Sequence, residues 1–149
     1  MMGAFLAALC LPLSLASCDH AGTESVRVKE AYVRLTALPG RPAAGYLTVR
    51  ATADHGDLVQ VSSPQAGRVE MHETMATGRA MSAMRPLARV TIDRQNEVAF
   101  TPGGRHLMIF DPDPALKPGG QIALVLQFAG GARIGAPARL IAAGDDAPY

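Results

Sequence analysis

The sequence has little of what nucleic-acid-binding proteins depend on. It contains no tryptophan, three tyrosines and four phenylalanines, which argues against a platform of aromatic rings that stacks on bases. Its formal net charge is only +1, too small to indicate binding to nucleic acid or to an acidic membrane surface. Neither is therefore expected as a partner.

Cysteine is confined to the N-terminal end, at Cys10 and Cys18. The chain beyond Cys18 therefore has no free thiol and no disulfide. A blue-copper site, a structural zinc site built on thiolates and a cysteine nucleophile all need cysteine sulfur, so this part of the chain contains none of them.

The N-terminal segment is typical of a secretory signal and not of a folded element. Residues 1–17 are apolar, carry no charged side chain and include Pro12. The residues LASC at 15–18 resemble a bacterial lipobox, in which cleavage leaves Cys18 as the lipidated first residue. A buried helix is the alternative, but few polar residues are present to cap it. We expect a signal peptide over 1–17, a lipidated cysteine and tether over 18–25, a domain over 26–142 and a loose tail over 143–149.

The expected domain is patterned as short strands separated by turns. Residues 121–128 alternate clearly, and residues 111–120, DPDPALKPGG, are too rich in proline and glycine for anything but a loop. Residues 75–84, which include Gly78, are interpreted as a hairpin loop. No convincing amphipathic helix occurs, so the pattern predicts an antiparallel sandwich or barrel. The expected strands are 26–36, 43–51, 57–64, 67–74, 89–92, 97–100, 105–110, 121–128 and 138–143.

Methionine and histidine are concentrated in one part of this domain. Every methionine after the signal lies between residues 71 and 108, with two of the four histidines. Methionine commonly fills gaps in cores, and on this ground we assign Met71 to the core and prefer packing to metal capture for Met75 and Met81. His20 and His55 are expected to lie in the tether and in an exposed loop.

Four residues of this stretch suggest a metal site. His106 and Met108 have the i, i+2 spacing that puts two side chains on one face of a strand. His72 lies on the polar face of another strand, and Met84 follows a loop that could fold over the other three. Thioether and imidazole together suit monovalent copper, whereas zinc would recruit carboxylates or thiolates. A Cu(I) site at one end of the sandwich is therefore predicted, which acid would weaken only through the two imidazoles.

The spacing of these residues resembles the motif of periplasmic copper chaperones of the PCu(A)C type. In that motif a His is followed by one residue, then by ten more, and then by a Met. Twenty-one residues separate this Met from a His-any-Met tripeptide. Here Glu73 follows His72, ten residues (74–83) precede Met84, and twenty-one (85–105) separate it from His106 and Met108. The segments AAGYLTV, SSPQAGRVEMHET, MRPL, TPGGRHLMIF and LKPGGQIALVLQF also match, so the resemblance spans residues 26–140.

The resemblance implies an all-β, cupredoxin-like antiparallel β-sandwich that binds one Cu(I) per chain through His72, Met84, His106 and Met108. Family members carry copper in the periplasm to cytochrome c oxidase subunit II, sometimes with a thioredoxin-like copper chaperone. The tail AGDDAPY has no Met or His for a second copper. We expect a monomer, attached to the membrane only through its lipid anchor.

Three alternatives to a delivery protein remain. The same site could serve copper sequestration or tolerance, which the sequence does not separate from delivery. An enzyme is not expected, because the chain has no Ser-His-Asp order or paired catalytic carboxylates, and sulfur-rich ligation resists redox cycling. A lipid-anchored sandwich without metal would require the methionine cluster to be coincidental.

Overall fold

The structure, a computed structural model, describes residues 25–76, 82–94 and 97–149. These residues form strands and turns, and none belongs to a helix long and apolar enough to cross a membrane. The expected signal peptide, Cys18 and most of the expected tether lie outside them. The strands are β1 Val26–Arg34, β2 Ala43–Ala51, β3 Leu58–Ser62, β4 Ala66–Ala76, β5 Ser82–Pro86, β6 Val98–Phe100, β7 Arg105–Pro112, β8 Gln121–Phe128 and β9 Arg133–Ile141.

The strands form one continuous sheet in the order β3-β8-β9-β1-β2-β7-β4-β5, with β6 paired to β2. Of these pairings, β1 with β9 is parallel and the others are antiparallel. The all-β prediction is confirmed, with the refinement that the sheet is mixed.

The two halves of the sheet share one hydrophobic core, as the layers of a sandwich do. Leu58 of β3 and Leu124 of β8 belong to the same buried cluster as Met71 of β4 and Leu107 of β7. Strand β8 shows how the sequence produces this layer, because every second side chain is buried and alternates with a more exposed one. The buried ones are Ile122, Leu124, Leu126 and Phe128. Met71 is buried as predicted.

Gly45 of β2 allows its strand to pack closely against β7. A Cβ atom at this position would lie 3.1 Å from Cβ of Leu107 and 3.2 Å from Cδ1 of Ile109. Both neighbours are fully buried, so neither can move aside easily. We expect Gly45→Ala to lower the free energy of unfolding by about 1–3 kcal/mol through overpacking, measured by urea denaturation.

Gly135 of β9 supplies the matched control, since a Cβ atom there meets nothing within 4 Å. Gly135→Ala should leave stability unchanged or raise it slightly. Equal effects of the two substitutions would contradict the close packing of β2 on β7.

Three local expectations were wrong. Residues 75–84 were expected to be a hairpin loop, but β4 continues to Ala76 and β5 begins at Ser82. Residues 77–81 lie outside the described structure. Residues 89–92 make one isolated bridge, Leu58 to Val90, and no strand. Strand β9 begins at Arg133, five residues before the expected start at residue 138. In each case pairing with another strand decides the outcome, and periodicity along the chain does not contain that information.

The first residues of the segment expected to be a loose tail contact the end of β1. The guanidinium of Arg34 donates hydrogen bonds to the carbonyl of Ala143, at 3.1 Å, and to that of Asp145. The amide of Ala142 donates to Oδ2 of Asp145 at 2.8 Å. These bonds hold the chain as it leaves β9.

Candidate metal site

Three neighbouring strands, in the order β7-β4-β5, bring the predicted ligands to one face of the sheet. His72 of β4 is directly paired with His106 of β7, and Glu70 is paired with Met108. Directly paired residues project to the same face, and so do residues two apart on one strand. His72, His106 and Met108 therefore share a face, opposite the one that Met71 and Leu107 present to the core.

Met84 joins this face from β5, and not from a loop as the sequence suggested. It is directly paired with Thr74, which lies two residues from His72 on β4. Strand β4 continues four residues beyond His72, to Ala76. The register thus brings all four predicted ligands to one surface without any loop folding over them.

The two histidines lie beside each other and are largely shielded from solvent. Their ring centroids are 6.1 Å apart with an interplanar angle of 34°. His106 is 7% exposed and the side chain of His72 is 14% exposed. Because a metal binds imidazole nitrogen at about 2 Å, two rings that share an ion have centroids about 5–6 Å apart. The observed separation is close to what a shared ion requires.

A backbone contact orients His106. Its Nδ1 donates a hydrogen bond to the carbonyl of Gly104 at 3.0 Å. A neutral imidazole that carries its proton on Nδ1 has its lone pair on Nε2. His106 therefore has Nε2 available as a ligand.

A carboxylate orients His72 in the opposite sense. Nε2 of His72 donates to Oε2 of Glu70 at 2.9 Å, which leaves the lone pair on Nδ1. This Nδ1 atom is buried and has no hydrogen-bond partner among the described residues. An orphaned buried acceptor costs about 1–3 kcal/mol, and a bound cation would satisfy it.

Glu70 is itself held from its other side. Nε of Arg68 donates to Oε1 of Glu70 at 2.8 Å, and the Arg68 guanidinium lies 3.7 Å from the ring centroid of Phe110. Hydrogen bonds from Arg68 and then from His72 lower the pKa of the Glu70 carboxyl. Glu70 was not among the predicted site residues, although its i−2 spacing from His72 already placed it on the same face.

The remaining candidates lie apart from this arrangement. Met75 is exposed and pairs with Ala83, one position out of phase with Thr74 and Met84, so it belongs to the other face of the hairpin. Met81 lies outside the described residues. His55 was expected to be exposed but is partly buried. Its ring packs against Phe128 with centroids 5.9 Å apart, and its Nε2 contacts the Ser25 hydroxyl.

The predicted ligands on this face are nitrogen and sulfur donors. No group of three or more His, Cys, Asp and Glu side chains suited to a metal occurs in residues 25–76, 82–94 and 97–149. A metal on this face would depend on the two thioethers beside the two imidazoles. Sulfur and imidazole ligands of this kind favour Cu(I) over harder divalent ions.

Comparison with solved structures defines the class of fold. The copper-bound PCuAC domain from PmoF2 has a TM-score of 0.64 and 20% identity, covering 79% of this chain and 93% of that one. The solution structure of apo-DR1885 from Deinococcus radiodurans has a TM-score of 0.60 and 23% identity, covering 95% and 97%. That of CuI-DR1885 from the same organism has a TM-score of 0.57 and 23% identity, covering 81% and 83%. The fold is that of PCuAC domains, which confirms the resemblance found in the sequence.

The family follows from the sequence itself. The model of the family described as "Putative lipoprotein LpqE-like" matches residues 26–139. The chain belongs to this LpqE-like family. No curated protein matches the sequence significantly.

Proposed function

We propose that this protein is a metallochaperone that binds one Cu(I) through His72, Met84, His106 and Met108. The observation that carries the proposal is the strand register, which brings two imidazoles and two thioethers to one face of β7, β4 and β5. Two structural neighbours, the copper-bound PCuAC domain from PmoF2 and CuI-DR1885, support the same conclusion. Copper is here the cargo of the protein.

The residues present fit this cargo. Nδ1 of His72 is buried and unpartnered among the described atoms, and the hydrogen bond from Nδ1 of His106 to Gly104 leaves Nε2 free to ligate. Met84 and Met108 add polarizable sulfur that does not titrate, so it ligates without losing a proton. Two neutral nitrogens and two thioethers place no negative charge on the ion, which suits a monovalent cation.

Solvent exposure differs among the four ligands in a way that suits transfer. His106 is 7% exposed, whereas Met84 on the edge strand β5 is 59% exposed. An acceptor protein could approach from the side of Met84 and exchange its own ligand for this thioether. The shielded histidines would hold the ion until a second acceptor ligand engages.

The location we propose is the bacterial periplasm, with Cys18 lipidated and residues 18–25 as a tether. The lipoprotein named in the family description supports a lipid-anchored protein of the cell envelope. The proposed acceptor is a respiratory enzyme, cytochrome c oxidase at its copper-containing subunit II, reached directly or through a thioredoxin-like copper chaperone. The protein acts by binding and transfer and not as an enzyme.

An anaerobic Cu(I) titration against a chromophoric chelator tests the binding step. The protein used is residues 19–149, which contain the whole described core. We expect one tight equivalent per chain and no comparable affinity for Zn(II), because the site offers neither thiolate nor carboxylate ligands. Absence of a tight equivalent would refute the proposal.

The transfer step needs a separate measurement. Copper-loaded protein is mixed with an apo acceptor of higher affinity, and the copper content of each is determined after separation. Copper that never moves to the acceptor would contradict a chaperone and favour sequestration. A deletion strain separates the two roles in the cell, since lost oxidase activity at low copper indicates delivery and sensitivity to high copper indicates buffering.

A further inference from the structure

We propose that Glu70 is the positioning residue of the copper site, and that it fixes His72 in the tautomer that ligates through Nδ1. This inference rests on the proposed function, because it concerns how one of the four ligands is presented to Cu(I). The carboxylate oxygen Oε2 of Glu70 accepts a hydrogen bond from Nε2 of His72 at 2.9 Å. Glu70 itself is not a ligand.

The hydrogen bond decides which nitrogen of His72 can bind the ion. A carboxylate only accepts hydrogen bonds, so its partner nitrogen must carry the proton. The lone pair is then confined to Nδ1, the one atom of this ring that is buried and unpartnered in the described structure. Histidine ligands of metals are commonly oriented in this manner by a carboxylate or a carbonyl.

The two histidines of the site are therefore presented in opposite tautomers. His106 donates from Nδ1 to the carbonyl of Gly104 and ligates through Nε2, whereas His72 donates from Nε2 and ligates through Nδ1. Nδ1 lies closer to the backbone than Nε2 in the imidazole ring. The ion would consequently lie nearer to β4 than to β7.

Arg68 completes the arrangement by occupying the other oxygen of Glu70. Nε of Arg68 donates to Oε1 at 2.8 Å, while packing on Phe110 with 3.7 Å to the ring centroid restricts the guanidinium. With Oε1 engaged by Arg68, Oε2 remains directed at His72. Arg68 thus restricts the rotation of the carboxylate.

Glu73 provides a matched control on the same strand. Its carboxylate also pairs with arginine, at 2.8 Å from Nη2 of Arg85, and hydrogen bonding to Arg85 likewise lowers its pKa. It lies one residue from His72, on the opposite face of β4. Glu73→Ala therefore removes an ion-paired carboxylate without touching the contact proposed to matter.

The first readout is the tautomer of each histidine in the copper-free full domain, from long-range ¹H–¹⁵N correlation spectra of the imidazoles. In the wild type we expect a proton on Nε2 of His72 and on Nδ1 of His106. Glu70→Ala should convert His72 alone to a mixture of tautomers. Glu70→Gln offers one oxygen to two donors, Arg68 and His72, so it should hold the wild-type tautomer of His72 less completely than the carboxylate does. Glu73→Ala should change nothing.

The second readout is Cu(I) affinity by chelator competition, with thermal unfolding as a check that each variant folds. We expect Glu70→Ala to weaken binding by about 10–100-fold, as loss of such supporting groups typically does, and Arg68→Ala to weaken it less. An unchanged His72 tautomer in Glu70→Ala, or equal affinities of Glu70→Ala and Glu73→Ala, would overturn the inference. If the wild type binds no Cu(I), the proposed function fails, while the tautomer spectra still decide the role of Glu70.

Discussion

Replacing His106 with alanine is expected to remove stoichiometric Cu(I) binding by the isolated domain. The imidazole is 7% exposed, lies 6.1 Å from the ring of His72 and has its Nδ1 committed to Gly104. Loss of groups that merely orient a ligand costs about 10–100-fold in metal affinity, so loss of a ligand should cost more than about 100-fold. Anaerobic chelator competition measures this directly. Met108→Ala should be comparably damaging, because half of the sulfur ligation is lost.

The chain offers a control for each substitution. His55→Ala removes an imidazole that packs on Phe128 away from the site, and Met75→Ala removes an exposed thioether from the other face of the β4–β5 hairpin. Both controls should bind one Cu(I) with wild-type affinity. Binding that survives His106→Ala and Met108→Ala would mean that these residues only pack, and the ligand assignment would fail.

Replacing Leu107 with alanine is expected to lower the free energy of unfolding strongly and to leave Cu(I) binding by the folded protein intact. His106→Ala is expected to lose Cu(I) binding instead. Leu107 lies between the two proposed ligands of β7 but faces the core, where it is 0% exposed. Removal of a buried leucine side chain costs about 2–5 kcal/mol. Because the chain has no tryptophan, urea denaturation followed by far-ultraviolet circular dichroism is the appropriate measurement.

Met108→Ala, one residue further along the same strand, is the control for this stability effect. Its side chain is partly exposed on the outer face, so its loss should cost much less stability than the loss of Leu107. The folded fraction of Leu107→Ala should still bind one Cu(I). If the two variants were equally destabilised, the division of β7 into a core face and a site face would be wrong.

This division of β7 is the part of the structure that the sequence predicts best. The alternation of His106, Leu107 and Met108 requires only the two-residue period of a strand. The same holds for Met71 and His72, which face opposite sides of β4 as expected. Local periodicity therefore identifies which side chains can meet, and the spacing shared with copper chaperones identifies four of them together.

Strand pairing, both between neighbouring strands and over long distances along the chain, is the part that the sequence could not provide. Met84 was expected to follow a loop, because β5 is only five residues long and becomes a strand by pairing with β4. The parallel pairing of β1 with β9 joins residues about a hundred positions apart, Tyr32 and Arg139 among them. Strand β1 also contains a bulge, where Glu30 has φ 53° and the register shifts before Tyr32. The pattern of residues along the chain does not predict this bulge. Glu70 was on the correct face, but its hydrogen bond to His72 depends on side-chain conformation.

The position of β5 at the end of the strand order has a kinetic consequence. An edge strand of five residues is bonded along one side, to β4, and such elements open locally at far lower free energy than the whole domain. Fraying of β5 would detach Met84 while His72, His106 and Met108 stay in place on β4 and β7. For the proposed copper site, the release rate of the ion would then be governed by a local opening of the hairpin. Substitutions that strengthen or weaken the β4–β5 pairing would change the residence time of copper without changing any ligand.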